Sequence, residues 1–445
     1  MDRREAVFRN FEKYKEYTED RVKSGIELYR KGFAEIKLVD SENNQVNKEY
    51  TVEIKQKTHE FKYGANIFML DEFETQEKNK LYREKFAETF NIATLPFYWN
   101  DLEPQEGMLR FKKDSPKIYR RPAIDLCIEY CREKGIEPKA HCLNYDLYRP
   151  KWTKNLSAAE YKAKLVKRFK ELSEEYADKI PSWEVTNESL AGGLDEWLDK
   201  SEFFRSDDFV EWSFDLAGKY FPNNRLIIND WNIWLDAYKG NRSLYYMQIE
   251  RLINSKKGHL DSIGMQFHCF YDRDYEKEVA KIKYNPLHLY GLLDKYAQFG
   301  RKIQITEMTL GALSNDPEDE EIQADLLEAL YSVFFSHPAM EGIIYWNLVD
   351  GYAADAPKGD MTAGENKWYG GLLRFDMSEK PAFQRIKKLF NEIWHTEESK
   401  MTENGIAMFK AFYGDYDIII KKENTTVKKQ ISISSQKDNK FIIQI

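Results

Sequence analysis

The pattern that decides the fold is clearest in residues 182–188, which read Ser182-Trp183-Glu184-Val185-Thr186-Asn187-Glu188. A short β-rich run ends there in an amide and a carboxylate, and helix-like stretches flank it. The same unit, a β-rich run followed by an amphipathic helical window, occurs eight times between Phe61 and Trp346. Eight alternating units favour a closed (β/α)8 TIM barrel of the α/β class.

The predicted strands are short, as expected for the inner wall of a barrel. They are Tyr63 to Ile67, Asn91 to Leu95, Glu137 to Leu143, Ser182 to Thr186, Arg225 to Asn229, Ser262 to Gln266, Lys302 to Thr306 and Gly342 to Tyr345. The helices include Glu77 to Phe90, Ala123 to Lys134, Ser157 to Ala177, Asp207 to Lys219, Pro286 to Phe299, Glu320 to Phe335 and Pro381 to Trp394. Ser157 with Glu160 forms a capping-box pattern, and Pro381 suits a first helical turn.

Polar and aromatic residues gather where the predicted strands end. They are Asn66, Trp99, His141, Asn187, Glu188, Asn229, Asp230, Gln266, His268, Thr306, Glu307 and Trp346. The strand interiors just upstream are mainly Val, Ile, Leu and Ala. In a parallel barrel all carboxyl ends of strands meet on one face, where barrel enzymes carry their active sites. The sequence therefore predicts a site at that face.

Both ends of the chain contain strand-like runs outside the barrel. Residues 34–40 and 52–56 alternate with period two around a polar turn and predict a β-hairpin, and residues 406–412, 416–421, 428–434 and 441–445 are also strand-like. Neither end could bury a core alone, so both are expected to meet in one small β-sandwich. The predicted organisation is a helical lead-in at residues 1–32, the sandwich from residues 33–60 with 401–445, and the barrel at residues 61–400.

Composition excludes several classes of protein. The net charge is −8 and lysines are interspersed with acids, so no basic surface for nucleic acid is expected. The sequence contains no apolar run long enough to span a membrane. The charged first residues lack the apolar stretch of a signal peptide, which favours a cytoplasmic protein, or a secreted one whose leader has been removed. The four cysteines are expected to be buried thiols, and the oligomeric state stays open.

Several of the strand-end motifs, taken in order, resemble glycoside hydrolase family 10, whose members are mostly endo-β-1,4-xylanases. The resemblance covers roughly Phe61 to Trp394. Residues 183–188 are similar to the strand that carries the family's acid/base, which implies that role for Glu188. Residues 303–307, Ile-Gln-Ile-Thr-Glu, are similar to its nucleophile strand, which implies that Glu307 is the attacking carboxylate.

Further motifs of the resemblance follow in the same order along the chain. Residues 263–268 resemble the strand whose Gln and His orient the nucleophile, which implies those roles for Gln266 and His268. His141 fits the third-strand loop. Residues 228–232 resemble the fifth-strand motif, and there Asn229 and Asp230 are expected to anchor a loop. The resemblance implies no cofactor.

The chemistry gives an independent reason for two glutamates. Cleavage with retention needs an acid that protonates the leaving oxygen and a carboxylate that attacks the anomeric carbon, about 5–5.5 Å apart. Glu188 is then expected to be protonated near neutral pH and Glu307 ionised, with Asn187 and His268 as tuning neighbours. Metal binding by His141, His268 and an acid is not favoured, because no paired histidine spacing supports it.

The sequence departs from the family where sugar is held. The second-strand motif normally contains Glu-Asn and then Lys ahead of Trp, but here Tyr98 precedes Trp99 and the pair is missing. After His141 the usual Trp-His is replaced by Tyr145-Asp146. Trp346 is retained, whereas the second Trp is replaced by Ala354, so Trp368 is expected to cover the site. Tyr98, Trp99, His141, Asp146, Asn187, Gln266, His268, Trp346 and Trp368 are the predicted substrate-binding residues.

The sequence thus predicts a retaining β-glycosidase whose substrate is an oligo- or polysaccharide, with xylan or xylo-oligosaccharides implied by the resemblance. Loss of the lysine and amide that grip xylose leaves a second reading, a β-glycan that contains hexoses. A third reading is a non-catalytic carbohydrate-binding protein that kept the barrel.

Overall fold

The computed structural model describes residues 2–190, 200–231, 233–236, 243–422 and 425–445. Its strands are β1 (Lys31–Val39), β2 (Thr51–Gln56), β3 (Lys62–Asn66), β4 (Ile92–Pro96), β5 (Glu137–His141), β6 (Ser182–Asn187), β7 (Arg225–Asp230), β8 (Ser262–Cys269), β9 (Lys302–Leu310), β10 (Met340–Tyr345), β11 (Glu397–Met401), β12 (Ile406–Phe412), β13 (Gly414–Lys422), β14 (Thr425–Ile433) and β15 (Lys440–Gln444).

The described helices lie between these strands and at the start of the chain. The α-helices are Arg3–Lys13, Lys15–Tyr29, Gln76–Thr89, Trp99–Leu102, Ile124–Lys134, Ala158–Tyr176, Phe209–Tyr220, Ile233–Asp236, Leu244–Ser255, Arg273–Lys283, Pro286–Ala297, Pro317–Ser336 and Pro381–Lys388. Short 3₁₀ turns lie at Asp146–Tyr148, Lys151–Thr153 and Gly364–Trp368, and a π-helical turn at Leu389–Ile393.

Strands β3 to β10 form a closed parallel barrel. Each pairs with its sequence neighbour, and β10 pairs with β3 to complete the ring. The predicted (β/α)8 barrel is therefore confirmed. β8 and β9 extend further than predicted, because they continue to pair beyond a register shift and place Gln266 opposite Glu307 and His268 opposite Thr309. This extension carries the polar strand ends into the site.

The surrounding helices bury one apolar face against the barrel. In Ala158–Tyr176 the buried positions include Tyr161, Leu165, Phe169 and Leu172, which follow the helical period. The predicted capping box is confirmed, since the Ser157 side chain accepts from the backbone of Glu160 while the Glu160 side chain accepts from the backbone of Ser157. Among the described residues, no helix combines the length and the hydropathy needed to cross a membrane.

The terminal strands form two facing sheets, with strand orders β12-β1-β15 and β11-β2-β13-β14. The predicted hairpin of residues 34–40 with 52–56 is wrong, because β1 pairs with β12 and β15 whereas β2 pairs with β11 and β13. Ile36 and Leu38 on β1 and Ile54 on β2 instead share one buried core between the sheets. β11 begins at Glu397, ahead of the expected start of this region at residue 401.

The terminal sheets and the barrel are joined through buried contacts. The Arg30 guanidinium donates to the carbonyls of His337 at 2.6 Å and Met340 at 2.8 Å, just past the end of helix Pro317–Ser336. Phe412 of β12 packs in the barrel core cluster, and its ring lies 6.2 Å from that of Phe335. The helix Arg3–Lys13 is also attached to the barrel, because Arg3 forms a buried ion pair with Glu276 at 2.7 Å.

Candidate active site

The carboxyl ends of the barrel strands open into a cavity of about 930 Å³. Most of the predicted site residues line it, although they come from six different strands or the loops that follow them. Those that do are Tyr98, His141, Asp146, Asn187, Glu188, Gln266, His268, Glu307 and Trp346. Trp99 and Trp368 do not.

Glu307 lies at the bottom of this cavity and is almost fully buried. Its Oε1 accepts a hydrogen bond from Asn229 Nδ2 at 2.8 Å, and its Oε2 lies 3.2 Å from His268 Nε2. The other ring nitrogen of His268 lies 3.1 Å from the hydroxyl of Thr309. Burial lowers the pKa of His268 to about 4, so the imidazole is neutral at pH 7.

Asn229 contacts Glu307 directly, whereas the sequence suggested only a loop-anchoring role. The Thr306 hydroxyl donates to Asn229 Oδ1 at 2.5 Å, which leaves Nδ2 to donate to both Glu307 and Asn187 Oδ1, the latter at 2.7 Å. Gly264 makes room for this amide, because a Cβ there would lie 2.7 Å from Asn229 Oδ1. Asp230 does anchor the next loop, since its carboxylate accepts from the backbone of Leu190 and Trp231.

Glu188 follows β6 and is half-buried, on the same cavity as Glu307. Its Oε1 accepts from Gln266 Nε2 at 2.9 Å, and its Oε2 accepts from the hydroxyl of Tyr145. The backbone of Glu188 has φ of 49°, in the left-handed region that non-glycine residues adopt at a cost. Such backbone is concentrated at functional sites, where the surrounding structure enforces it.

A buried ion-pair network lies beneath the site, and the sequence analysis did not identify it. The Lys139 ammonium donates to Glu184 Oε1, and His141 Nδ1 lies 2.5 Å from Glu184 Oε2. Burial alone would raise the pKa of Glu184, but Lys139 and His141 outweigh it and lower that pKa to about 2. His141 Nδ1 also lies 4.0 Å from Glu307 Oε1, so the network reaches Glu307.

The ionisation of Glu307 differs from the expectation. Burial raises the pKa of Glu307 to about 8; the charges of Glu184 and Glu188 add to this effect, and His141 and Lys139 oppose it. The neutral form is therefore favoured at pH 7, whereas the sequence argument assigned the ionised form to this residue. The physical reason is that Glu307 is the more deeply buried of the two glutamates.

One cluster brings together three side chains of the kind that bind metals. Ligand atoms of His141, Glu184 and Glu307 all lie within 4.8 Å of one another. The Lys139 ammonium already pairs with Glu184 there, and it would repel a divalent cation. The arrangement fits an ion-pair network better than a metal centre.

Aromatic rings and an arginine form one side of the cavity. The ring of Tyr98 lies 4.1 Å from that of Tyr148, and the Arg121 guanidinium lies 4.2 Å from the centre of the Tyr98 ring. The Tyr98 hydroxyl lies 3.1 Å from His141 Nε2. Trp346 packs edge-on against Phe68 at 5.2 Å. Flat ring faces and a few polar groups suit a sugar, which has apolar C–H faces and hydroxyl edges.

Two predicted substrate-binding residues lie away from the cavity, and this corrects the expectation for both. Trp99 is buried between Trp152 and Tyr161, and its Nε1 donates to Glu103 at 2.8 Å. Trp368 stacks on Phe270, which in turn stacks on His268. Trp368 thus supports a ring that lines the cavity rather than covering the site itself.

Asp146 does line the cavity, as expected, but it is not an isolated anion. Arg149 pairs with it at 3.3 Å within the same loop. Ala354, which stands where the family usually has Trp, is exposed at the cavity edge. Tyr145 departs from the family motif, and its direct contact with Glu188 cannot be inferred from that motif.

Comparison with known proteins agrees with this architecture. Residues 54–389 match glycosyl hydrolase family 10. The anti-sigma-I factor RsgI6 of Acetivibrio thermocellus is 24% identical over 412 residues, which is 90% of this chain and 46% of that protein. The endo-1,4-beta-xylanase B of Cellvibrio japonicus is 25% identical over 255 residues, or 57% of this chain and 38% of that protein. The chain therefore spans less than half of the length of these two curated relatives.

Solved structures share the fold. The crystal structure of CbXyn10B in native form has a TM-score of 0.59 at 22% identity, and the match covers 74% of this chain and 96% of that one. The endo-1,4-beta-xylanase of Caldicellulosiruptor owensensis has a TM-score of 0.57 at 21% identity, with the same coverage. At this level of identity the structures support the barrel, and the family match extends over three quarters of the sequence. This chain belongs to glycosyl hydrolase family 10.

Proposed function

We propose that this protein is a retaining glycoside hydrolase that cleaves β-glycosidic bonds by double displacement, with Glu188 as acid/base and Glu307 as nucleophile. The proposal rests on the position of the two glutamates. Glu188 follows β6, Glu307 lies on β9, and both line the same cavity. Asn229 contacts Glu307 and Asn187, and Gln266 contacts Glu188 at 2.9 Å.

In the first step, the Glu188 carboxyl gives its proton to the glycosidic oxygen as the bond to the anomeric carbon breaks. Glu307 first releases its own proton to solvent water, and an oxygen of the resulting carboxylate forms a new bond to that carbon, so that the sugar becomes covalently attached. In the second step, Glu188, now a carboxylate, takes a proton from water. The water oxygen attacks the anomeric carbon, the bond to Glu307 breaks, and the sugar leaves with its original configuration.

The hydrogen bonds around Glu307 fit the role of nucleophile. Asn229 Nδ2 donates to one oxygen, which orients the carboxylate and stabilises the charge that returns to it in the second step. Burial alone favours the neutral form, so the ionised form has to be favoured by the substrate. The positive charge that develops at the anomeric carbon provides this, because it lies next to the carboxylate in a site of low dielectric.

The substrate proposed first is xylan or a xylo-oligosaccharide, cleaved in the manner of an endo-β-1,4-xylanase. The family match and the relatives named as xylanases support this reading. The aromatic side of the cavity, with Tyr98 and Trp346, offers ring faces on which sugar units can stack.

A second substrate class is favoured by the composition of the cavity wall. Tyr98 stands where the family has Lys, and it bonds His141 rather than extending into the cavity as a cation. Ala354 stands where the family has Trp, and it leaves space at the edge. Both changes would make room for the hydroxymethyl group of a hexose. This reading predicts turnover of hexose-based β-glycosides with little activity on xylan.

A non-catalytic sugar-binding role is the third candidate, and one comparison favours it. The relative that aligns with 90% of this chain is named for regulation of a sigma factor, as an anti-sigma-I factor. The Glu307→Ala variant separates the two possibilities. An enzyme loses turnover but retains oligosaccharide binding by calorimetry, whereas a binder shows no turnover before or after the change.

The decisive experiment follows the anomeric configuration of the first product by proton NMR. The protein is incubated with xylan, xylo-oligosaccharides, mixed-linkage glucan, mannan, galactan and aryl β-glycosides. Retained β-configuration in the first-formed sugar is the expected result. Inverted product would overturn the roles of Glu188 and Glu307, and turnover of hexose substrates alone would replace xylan as the substrate.

A further inference from the structure

Tyr145 makes a contact that the family resemblance does not explain, because the family usually has Trp at this position. Its hydroxyl donates to Glu188 Oε2, while Gln266 Nε2 donates to Glu188 Oε1 at 2.9 Å. Both oxygens of the proposed acid/base therefore accept a hydrogen bond from a protein side chain. A carboxylate accepts at both oxygens readily, whereas a neutral acid uses one oxygen to carry its proton.

We propose that Tyr145 is a positioning residue for Glu188: its hydroxyl donates to Oε2 and holds the group as a carboxylate. When the leaving group of the substrate displaces this hydroxyl, Glu188 takes up a proton from solvent water and then donates that proton to the glycosidic oxygen. This inference rests on the proposed function, in which Glu188 is the acid/base. It assigns to Tyr145 a role in controlling how readily Glu188 takes up its proton.

The backbone just before Tyr145 is hydrogen-bonded to β6, the strand that Glu188 follows. The backbone N–H of Leu143 donates to Glu184 O at 2.8 Å, and that of Asn144 donates to Val185 O at 3.0 Å. The ring of Tyr145 packs at 5.4 Å from that of Tyr148. The hydroxyl is therefore held in place by backbone pairing on one side and ring packing on the other, as positioning requires.

Tyr145 remains a donor over the accessible pH range. Burial raises the pKa of its phenol well above the usual value, and the charge of Glu188 adds to this effect. Several other titratable groups near Glu188 respond to its charge, namely Cys142, Asp230, His268 and Glu307.

The Tyr145→Phe variant tests the proposal, because it removes one oxygen atom and leaves the ring. The titration of Glu188 is followed by ¹³C NMR of the full chain labelled at glutamate Cδ, with the signal assigned from Glu188→Gln. We expect the midpoint to move up by about one pH unit, the size expected when a carboxylate loses one donor. Tyr148→Phe is the matched control, since no described contact joins its hydroxyl to Glu188, and it should leave the midpoint unchanged.

A kinetic readout complements the titration and uses phenyl β-xyloside or whichever aryl glycoside the protein hydrolyses. For Tyr145→Phe, the ratio of kcat/KM at alkaline pH to kcat/KM at acid pH should rise about tenfold, because more Glu188 keeps its proton at alkaline pH. A uniform loss from disturbed geometry would leave this ratio unchanged. The effect should shrink with a 2,4-dinitrophenyl leaving group, which departs without protonation.

The outcomes separate this inference from the proposed function. If the protein hydrolyses no glycoside, the proposed function fails, and the NMR titration still decides whether Tyr145 controls Glu188. If turnover is present but Tyr145→Phe matches Tyr148→Phe in both readouts, the role of Tyr145 is refuted.

Should Tyr145→Phe not fold, 3-fluorotyrosine at position 145 keeps the ring and donates more strongly. It should move the midpoint to lower pH, and no movement would refute the role.

Discussion

The floor and the wall of the cavity are built from different parts of the barrel. The floor is defined here as Asn187, Glu188, Asn229, Gln266, His268 and Glu307, and the wall as Tyr98, Arg121, Tyr145, Asp146, Tyr148 and Ala354. Floor residues lie at strand ends and bond one another, whereas wall residues lie in loops and contact each other mainly through rings and charges. The floor matches the family motifs and most of the wall does not. We therefore expect the reaction type to depend on the floor residues and the substrate identity on the wall residues.

The largest effect is expected from the floor. Glu307→Ala should reduce kcat/KM by about 10⁴-fold or more, because the attacking group is lost. Initial rates on the best substrate of the screen measure this, and added azide should restore turnover by filling the vacated space. Glu397→Ala, on an exposed strand of the terminal sheets, is the control and should leave the rate unchanged. Retention of most activity in Glu307→Ala would mean that the floor does not do the chemistry.

Ionisation of Glu307 in the floor should lower the free energy of unfolding at high pH. Burial raises the pKa of Glu307 to about 8 from its ordinary value of 4.5, so folding favours the neutral acid. The resulting stability is present in full below pH 4.5 and is lost as the pH rises through about 8. Glu307→Gln, which cannot ionise, should escape this loss by an amount on the order of 4 kcal/mol. Denaturant unfolding of both proteins at pH 5 and pH 9 measures it, and a difference that does not change with pH would contradict it.

A supporting residue of the floor should matter less than the glutamates. Asn229→Ala removes the donor to Glu307 Oε1 and should lower kcat by about 10²-fold with little change in KM, as for other donors to a charge that develops in the reaction. Steady-state kinetics give both constants. Asn224→Ala provides a control asparagine, since its amide bonds backbone carbonyls away from the cavity. A rise in KM alone would place Asn229 with the substrate-binding residues.

The smallest effect is expected from the wall. Tyr98→Phe removes the hydroxyl that bonds His141 but keeps the ring, and should change kcat/KM by about tenfold or less. The informative quantity is the ratio of activities on xylo- and hexo-configured aryl glycosides. A shift of this ratio would show that the wall selects the sugar. An unchanged ratio with a large loss on both substrates would instead assign Tyr98 to the floor.

The sequence sufficed for the barrel because each barrel unit is local. A strand and its following helix lie within a few tens of residues, and the hydrophobic period reveals both. The terminal sheets could not be predicted in the same way. The strands β1 and β2 have apolar inward sides that fit a hairpin equally well, and only the distant strands β12 and β13 decide that they lie in different sheets.

The same distinction between local patterns and distant contacts applies to the residues of the site. Glu188 and Glu307 were identifiable because strand ends in a barrel converge, whatever the loops do. The Tyr145 contact depends on how one loop folds back over β6, and Trp99 and Trp368 point away for reasons of packing that no motif encodes. The ion pair of Lys139 with Glu184 lies inside predicted strands, where alternating polar residues gave no signal beyond their position.

The strand pairing in the terminal sheets determines when these sheets can form during synthesis. β1 lies between β12 and β15, so its backbone partners are synthesised only after the whole barrel that separates them from β1. At a typical rate of about 5–20 residues per second, β1 waits roughly 20–80 s without them. An unpaired strand can mispair with another nascent chain, and the charged side chains of Lys31, Glu35 and Lys37 along this strand discourage such pairing. The sheet that contains β1 can therefore form only after the barrel residues that lie between β1 and β12 have been synthesised.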